Sequence, residues 1–246
     1  MRAMILAAGL GTRLGPLTKL IPKALVKIDG KPMLEHIILK LKAEGISHII
    51  INIHHHSDQI REFLRTENNF GCHISLSDES DCLLDSGGGL RKASGFFSDG
   101  KDFLLHNVDI FSEAPLGDFI RQHEQNGALA TLMVRKRHSS RYLLFDEKDE
   151  LRGWKNTVTG EIICPEGYRE GYREMAFSGI HMISPEIFTF MPEKSRFGMT
   201  GLYLDLCSRQ RIRAWEDQSA FFCDAGKPES ITIISDRMKE KRRGSL

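Results

Sequence analysis

Residues 4–26, MILAAGLGTRLGPLTKLIPKALV, constrain this chain more than any other stretch. Met4-Ile5-Leu6 closes a short apolar run from the N-terminus and reads as a buried first strand. Ala7-Ala8-Gly9-Leu10-Gly11-Thr12-Arg13 then sets small residues and two glycines in a tight bend. Small side chains let the backbone approach a ligand, and glycine permits the dihedrals that turn N–H groups inward. A loop of this kind can ring a nucleotide phosphate with amides. Arg13 follows at once, and Lys23 comes after Pro22. Arginine suits a bidentate grip on a diphosphate, and lysine offers a compact mobile charge. As a loop residue, Lys23 should bury little. The bland alternative is a helix-capping glycine loop with a surface arginine and lysine.

Spacing separates this loop from two better-known phosphate loops. Glycines at 9, 11 and 15 give G-x-G-x-x-x-G, which is not the dinucleotide fingerprint. No acidic residue follows at the ribose position of that fingerprint, and the Walker lysine pattern is absent. What remains is L-A-A-G-x-G-T-R-L-x-P-L-T followed by P-K-x-L, over residues 6–25. This resembles the signature of the sugar-1-phosphate nucleotidyltransferases. The resemblance implies a Rossmann-like three-layer α/β/α fold with a mostly parallel central sheet and a small β-rich acceptor subregion. It also implies that Leu6, Ala7, Ala8, Gly9, Gly11, Thr12, Arg13 and Lys23 meet the nucleotide.

The chain beyond the loop reads as alternating strands and helices. Pro32 opens a helix with an apolar stripe at Met33, Leu34, Ile37, Ile38 and Leu41, and Gly45 stops it. Ile46–Ile53 contains a β-branched run typical of a strand buried on both faces. Ser57 can cap a second helix, and 72–76 is a third strand. This alternation is the pattern of a parallel sheet with crossover helices. His54, His55 and His56 leave a strand in alternating directions, so a loop at the strand's end is favoured over a shared metal.

Further motifs occur in the family's order. Glu79 matches an acidic position near the nucleobase, where a carboxylate could accept a base N–H; a solvated loop acid is the alternative. Ser86-Gly87-Gly88-Gly89 resembles T-G-G-G, with exposed N–H groups at Gly87 and Gly88 and room for a flat ligand. Asn107-Val108-Asp109 resembles N-x-D, whose asparagine faces the sugar and whose aspartate holds a metal. Phe177-Ser178-Gly179-Ile180 resembles the strand beside the sugar, with Gly179 permitting close approach. Asp224-Ala225-Gly226 resembles a closing D-x-G, whose aspartate is the second metal ligand, although Lys227 replaces the usual threonine. The metal expected is Mg²⁺, held between carboxylates and phosphates. The basic run Arg135–Arg141 could meet a sugar phosphate or face water.

A single domain is expected. Residues 1–135 would form the nucleotide half, 136–226 the acceptor half and 227–246 a C-terminal helix. The formal net charge of +1 gives no reason to expect nucleic acid or membrane as partner. Five scattered cysteines without C-x-x-C spacing suit reduced thiols and a cytoplasmic location. The expected reaction joins a nucleoside triphosphate to a sugar 1-phosphate and releases pyrophosphate. Arg13, Lys23 and Asp109 would be catalytic, with Asp109 and Asp224 on the metal. Within the family the likeness favours UTP and N-acetylmuramate 1-phosphate. Guanylyl transfer to mannose or heptose 1-phosphate, cytidylyl transfer to phosphocholine and a non-catalytic nucleotide-sugar-binding module stay open. Oligomeric state is not legible.

Overall fold

The computed structural model describes residues 1–244, so the last two residues of the expected C-terminal segment lie outside it. In chain order the first elements are β1 (Arg2–Leu6), β2 (Lys27–Ile28), β3 (Lys31–Pro32), α1 (Met33–Ala43), β4 (His48–Ile53), α2 (Ser57–Thr66) and β5 (His73–Asp78). Then come α3 (Asp85–Lys92), β6 (Phe103–Asn107), β7 (Ile110–Ser112), α4 (Leu116–Asn126), β8 (Ala130–Arg135), β9 (Arg141–Phe145) and β10 (Leu151–Asn156). The chain closes with β11 (Ile162–Ile163), β12 (Arg173–Ile183), α5 (Met199–Leu206), β13 (Ile212–Glu216), β14 (Phe222–Asp224) and α6 (Pro228–Gly244). Short 3₁₀ turns cover Thr12–Thr18 and Lys23–Leu25.

Two compact units divide these elements. The first takes Met1–Leu83, His106–Ala114 and the chain from Ser219 onward. In it β1, β4 and β5 pair in parallel, with Leu6 opposite Asn52 and Asn52 opposite Ser77. Parallel neighbours need a crossover, and α1 supplies the one from β1 to β4. Its Met33, Leu34, Ile37, Ile38 and Leu41 are all buried, as the apolar spacing requires. Strand β4 is buried along Ile49–Ile53, and the polar Asn52 is buried with it. Because the strands run together, the ends of β1, β4 and β5 meet at one edge, where ligands bind in open α/β sheets.

The second unit takes Leu84–Leu105 and Pro115–Gln218. Here β12 pairs antiparallel with both β8 and β9, β9 with β10, and β10 with β11, while β13 runs parallel to β8. The polar turn Asp146–Glu150 joins β9 to β10 in a hairpin, with Asp149 at φ 62°. Phe97 stacks on Phe103 at 3.9 Å, and Phe188 lies 5.7 Å from Phe103.

Details of the elements depart from the sequence reading. Helix α2 is preceded by His56 in the left-handed region, so Ser57 is its first residue and not its cap. The third strand runs 73–78, later than 72–76. Among the described residues no helix is long and apolar enough to cross a membrane.

Candidate functional site

The glycine loop begins where β1 ends. Asn52 lies opposite Leu6, and its Oδ1 accepts the N–H of Ala7 at 2.7 Å and of Ala8 at 3.3 Å. Its Nδ2 donates to Glu79 Oε1 at 2.7 Å. Among the described residues the N–H groups of Gly9 through Arg13 reach no protein acceptor, so the anion-binding amides of this loop start at Gly9. Gly11 sits at φ +65°, and a Cβ there would fall 2.9 Å from both Lys23 Cβ and Thr18 Cγ2. Thr18 Oγ1 donates to Gly11 O at 3.0 Å and fixes the bend from below. The sequence needs glycine at 11 both for the dihedral and to let the loop wrap the stem of Lys23.

The charged residues of the first unit converge beside this loop. Val108 N–H donates to Leu6 O at 3.1 Å, which brings Asn107-Val108-Asp109 alongside the loop's start. Lys23 Nζ donates to Asp109 Oδ2, and the two side chains are only 11% and 13% exposed. Lys23 is therefore well buried, contrary to the expectation for a loop lysine, because Asp109 holds it against the strand ends. Strand β14 pairs antiparallel with β7, placing Asp224 opposite Ile110, and Ala225 N–H donates to Asp109 O at 2.8 Å. Arg13 Nη2 lies 3.8 Å from Asp224 Oδ2. Gly226 N–H donates to Asp224 Oδ1 at 2.7 Å, and a Cβ on Gly226 would fall 2.6 Å from Arg13 Nη2. The D-x-G motif thus orients a carboxylate and leaves space for a guanidinium.

Asp109 and Asp224 bring carboxylate oxygens to adjoining segments of the strand edge. Hard oxygen donors of this kind suit Mg²⁺, which takes one or two carboxylates and completes its shell with phosphate oxygens and water. The donor set present therefore fits such an ion.

Leu6, Ala7, Ala8, Gly9, Gly11, Thr12, Arg13, Lys23, Glu79, Asn107, Asp109 and Asp224 all belong to the first unit. Two of the readings change there. The N–H groups of Ala7 and Ala8 are taken by Asn52, because the strand register sets its side chain beside them. Glu79 is 1% exposed, so it is not a solvated loop acid; one of its oxygens holds Asn52. The histidines share no common point: His54 Nδ1 lies 2.6 Å from Glu79 O, while the His55 and His56 rings lie 3.7 Å apart and His56 Nε2 lies 3.3 Å from Lys19 O.

Gly87, Gly88 and Gly179 belong to the second unit. The N–H groups of Gly87 and Gly88 are not exposed: they donate to Phe197 O at 2.9 and 3.1 Å. A Cβ on Gly87 would strike the Phe197 ring, and one on Gly88 would strike Ser195 O. Here the glycines admit a neighbouring chain segment, a packing role that composition alone does not reveal. Gly179 has φ +73° where β12 shifts register against β8 between Phe177 and His181, so the dihedral itself calls for glycine. Three cations of the basic run have partners: Arg135 pairs with Asp217 at 2.9 Å, Lys136 with Glu216 at 3.2 Å, and Arg137 donates to Phe177 O at 3.0 Å.

Sequence reasoning missed Asn52, Thr18 and Phe197. Asn52 left a signal: one amide inside the run Ile49-Ile50-Ile51-Asn52-Ile53, in a strand otherwise apolar on both faces. A buried amide needs hydrogen-bond partners, and here Ala7, Ala8 and Glu79 supply them.

The family described as nucleotidyl transferase matches residues 2–152, more than half of the chain. Over 138 residues the chain is 36% identical to the mannose-1-phosphate guanylyltransferase catalytic subunit beta of Danio rerio, an alignment covering 55% of this chain and 38% of that protein. It is 28% identical over 217 residues to the UTP–glucose-1-phosphate uridylyltransferase of Synechocystis sp., covering 82% of this chain and 53% of that protein. The chain thus spans about half the length, or less, of these curated relatives. Among solved structures, HddC from Yersinia pseudotuberculosis complexed with GMP-PN superimposes with a TM-score of 0.76 at 22% identity, covering 96% of this chain and 99% of that one. The inositol-1-phosphate CTP transferase from T. maritima gives 0.77 at 14% identity, covering 97% and 94%. The fold is the α/β nucleotidyltransferase fold, with a mixed sheet that is parallel at its core.

Proposed function

The chain belongs to the nucleotidyl transferase family, and from that premise we propose that it transfers a nucleotidyl group from a nucleoside triphosphate to a sugar 1-phosphate. The observation that carries the reading is the joining of Arg13, Lys23, Asp109 and Asp224 beside a loop with unpaired N–H groups. A sugar-phosphate oxygen attacks the α-phosphorus in line. The new P–O bond forms as the bond to the bridging oxygen of the departing pyrophosphate breaks. The attacking phosphate is already ionised near neutrality, so no general base is required. Positioning and charge neutralisation then account for most of the rate.

On this reading Lys23 contacts the α-phosphate and the incoming sugar phosphate, and Arg13 holds the departing pyrophosphate. The N–H groups of Gly9–Arg13 donate to phosphate oxygens. Asp109 and Asp224 would hold Mg²⁺, which when bound shields the triphosphate from the second anion. Asn107 stands beside the sugar, with Gly179 on the acceptor half. The free state of all five cysteines suits the reducing cytoplasm we assign to it.

UTP with N-acetylmuramate 1-phosphate is the favoured pair, on the resemblance of the motif series, led by residues 6–25, to the family. Guanylyl transfer is the second reading, favoured by the 36% identity to a mannose-1-phosphate guanylyltransferase subunit. Pyrophosphate release, measured across UTP, GTP, CTP and dTTP against a panel of sugar 1-phosphates, tests both. UTP should give the highest kcat/KM. A tenfold preference for GTP would replace the uridylyl reading with the guanylyl one. No turnover with any pair, alongside measurable nucleotide binding, would leave a binding module.

A further inference from the structure

We propose that Asn52, locked by Glu79, is a positioning residue that sorts the amides of the glycine loop and so sets its affinity for a triphosphate. This deepens the proposed nucleotidyl transfer and rests on it only for the identity of the anion. Asn52 is 3% exposed and Glu79 1%, so their hydrogen bond is shielded from water. Asn52 Oδ1 takes the N–H groups of Ala7 and Ala8, and Nδ2 is spent on Glu79. An amide side chain can present either oxygen or nitrogen to a neighbour. Glu79 removes that freedom, because a carboxylate accepts only. The oxygen must then face the loop, where it meets two donors.

The backbone of Glu79 is held in turn. Its N–H donates to Ile53 O at 2.7 Å, and its carbonyl lies 2.6 Å from His54 Nδ1. The strand ends of β4 and β5 therefore fix the carboxylate, the carboxylate fixes the amide, and the amide fixes the first two residues of the loop. Gly9 through Arg13 continue from that anchored start with their N–H groups unpaired among the described residues. Without the anchor, the N–H groups of Ala7 and Ala8 would be buried donors with no acceptor, and the bend would shift to satisfy them.

Isothermal titration with inorganic tripolyphosphate tests this without requiring turnover, in wild type, Glu79→Gln, Glu79→Ala and Asn52→Leu. The Glu79→Gln variant offers Asn52 Nδ2 an oxygen but can also turn its own Nε2 toward Asn52, so it locks the amide less strictly and should bind with an affinity between those of wild type and Glu79→Ala. Glu79→Ala leaves Asn52 unlocked and should bind roughly threefold to tenfold more weakly. Asn52→Leu removes the acceptor altogether and should lose tenfold or more, about 1.4 kcal/mol. In turnover the same order should show in KM for the nucleotide, while KM for the sugar phosphate stays unchanged, a split that general loosening would not produce. Thermal unfolding identifies a variant that fails to fold. If Asn52→Leu does fail, the comparison of Glu79→Gln with Glu79→Ala still decides. Equal affinity in the two Glu79 variants, or wild-type affinity in a folded Asn52→Leu protein, overturns the proposal. Weakened tripolyphosphate binding in a protein that turns over no substrate pair would uphold the anchor while the transferase reading fails.

Discussion

His106 should make the protein sensitive to mild acid. Its side chain is fully buried at the end of β6. Nδ1 lies 2.7 Å from Asn107 O; a carbonyl only accepts, so Nδ1 carries the proton of the neutral ring. Nε2 is buried with no partner among the described residues. Burial, reinforced by the nearby Lys40 charge, pushes the pKa from 6.5 down to about 3. The unfolded chain therefore binds a proton more readily than the folded one, so stability falls as pH drops below about 6.5 and stops falling below about 3. At about pH 5 the unfolded histidine is favoured by roughly 1.5 pH units, or about 2 kcal/mol. His106→Leu deletes the titrating group. Near neutrality it exchanges a hydrogen bond of about 1 kcal/mol for removal of an unpaired buried nitrogen, so the net change there should be small. Urea unfolding of both proteins at about pH 7.5 and about pH 5 gives the comparison. Wild type should lose about 2 kcal/mol more than His106→Leu across that interval. His123, also buried with a lowered pKa, is present in both and cancels. Parallel losses would refute the reasoning, since they would mean that the folded ring protonates as freely as the unfolded one.

Two predictions concern the phosphate site. Lys23→Ala should lower kcat by about two to four orders of magnitude, as expected for a lost charge contact in the transition state. It should also lower the melting temperature, because it leaves the poorly exposed Asp109 carboxylate without its cation, so the assay belongs well below that temperature. Asp109→Asn and Asp224→Asn should each nearly abolish Mg²⁺-dependent pyrophosphate release in a folded protein. An unchanged rate and metal dependence in Asp224→Asn would leave Asp224 the structural role of holding the Gly226 turn.

The first unit was the more legible in sequence because its signals are local. The strand–loop register of residues 2–13, the α1 stripe and the buried run of β4 are each contained in one short stretch. Partners were not legible, because they depend on register between distant strands. Nothing in the chain order says that Asn52 faces Ala7, and so nothing assigned Glu79 to Asn52. The Ser86–Gly89 stretch misled for a related reason. Glycine admits whatever approaches it, and here that is the Ser195–Phe197 segment, more than a hundred residues on. In the second unit β9 and β10 are antiparallel because the short turn between them allows only that return, whereas in the first unit β1, β4 and β5 are parallel because crossovers separate them.

The two cations at the loop are held on unequal terms, and the inequality bears on which residue type stands where. Arg13 and Asp224 are 60% and 41% exposed at 3.8 Å, a contact in the class that contributes about 0–1 kcal/mol. Lys23 and Asp109 form a closer pair with little exposure. On the proposed reading a triphosphate competes with both carboxylates. Arg13 can exchange Asp224 for phosphate at little cost, and the missing Cβ of Gly226 leaves its guanidinium room to turn. Lys23 need not exchange at all. An ammonium has three donors, so it can keep one on Asp109 and offer the others to phosphate oxygens. An arginine at 23 would present a planar fork that a carboxylate can occupy on both tines. A lysine clamped by one carboxylate is thus fixed in place and still able to bridge two phosphates, whereas an exposed arginine is free to follow a leaving group.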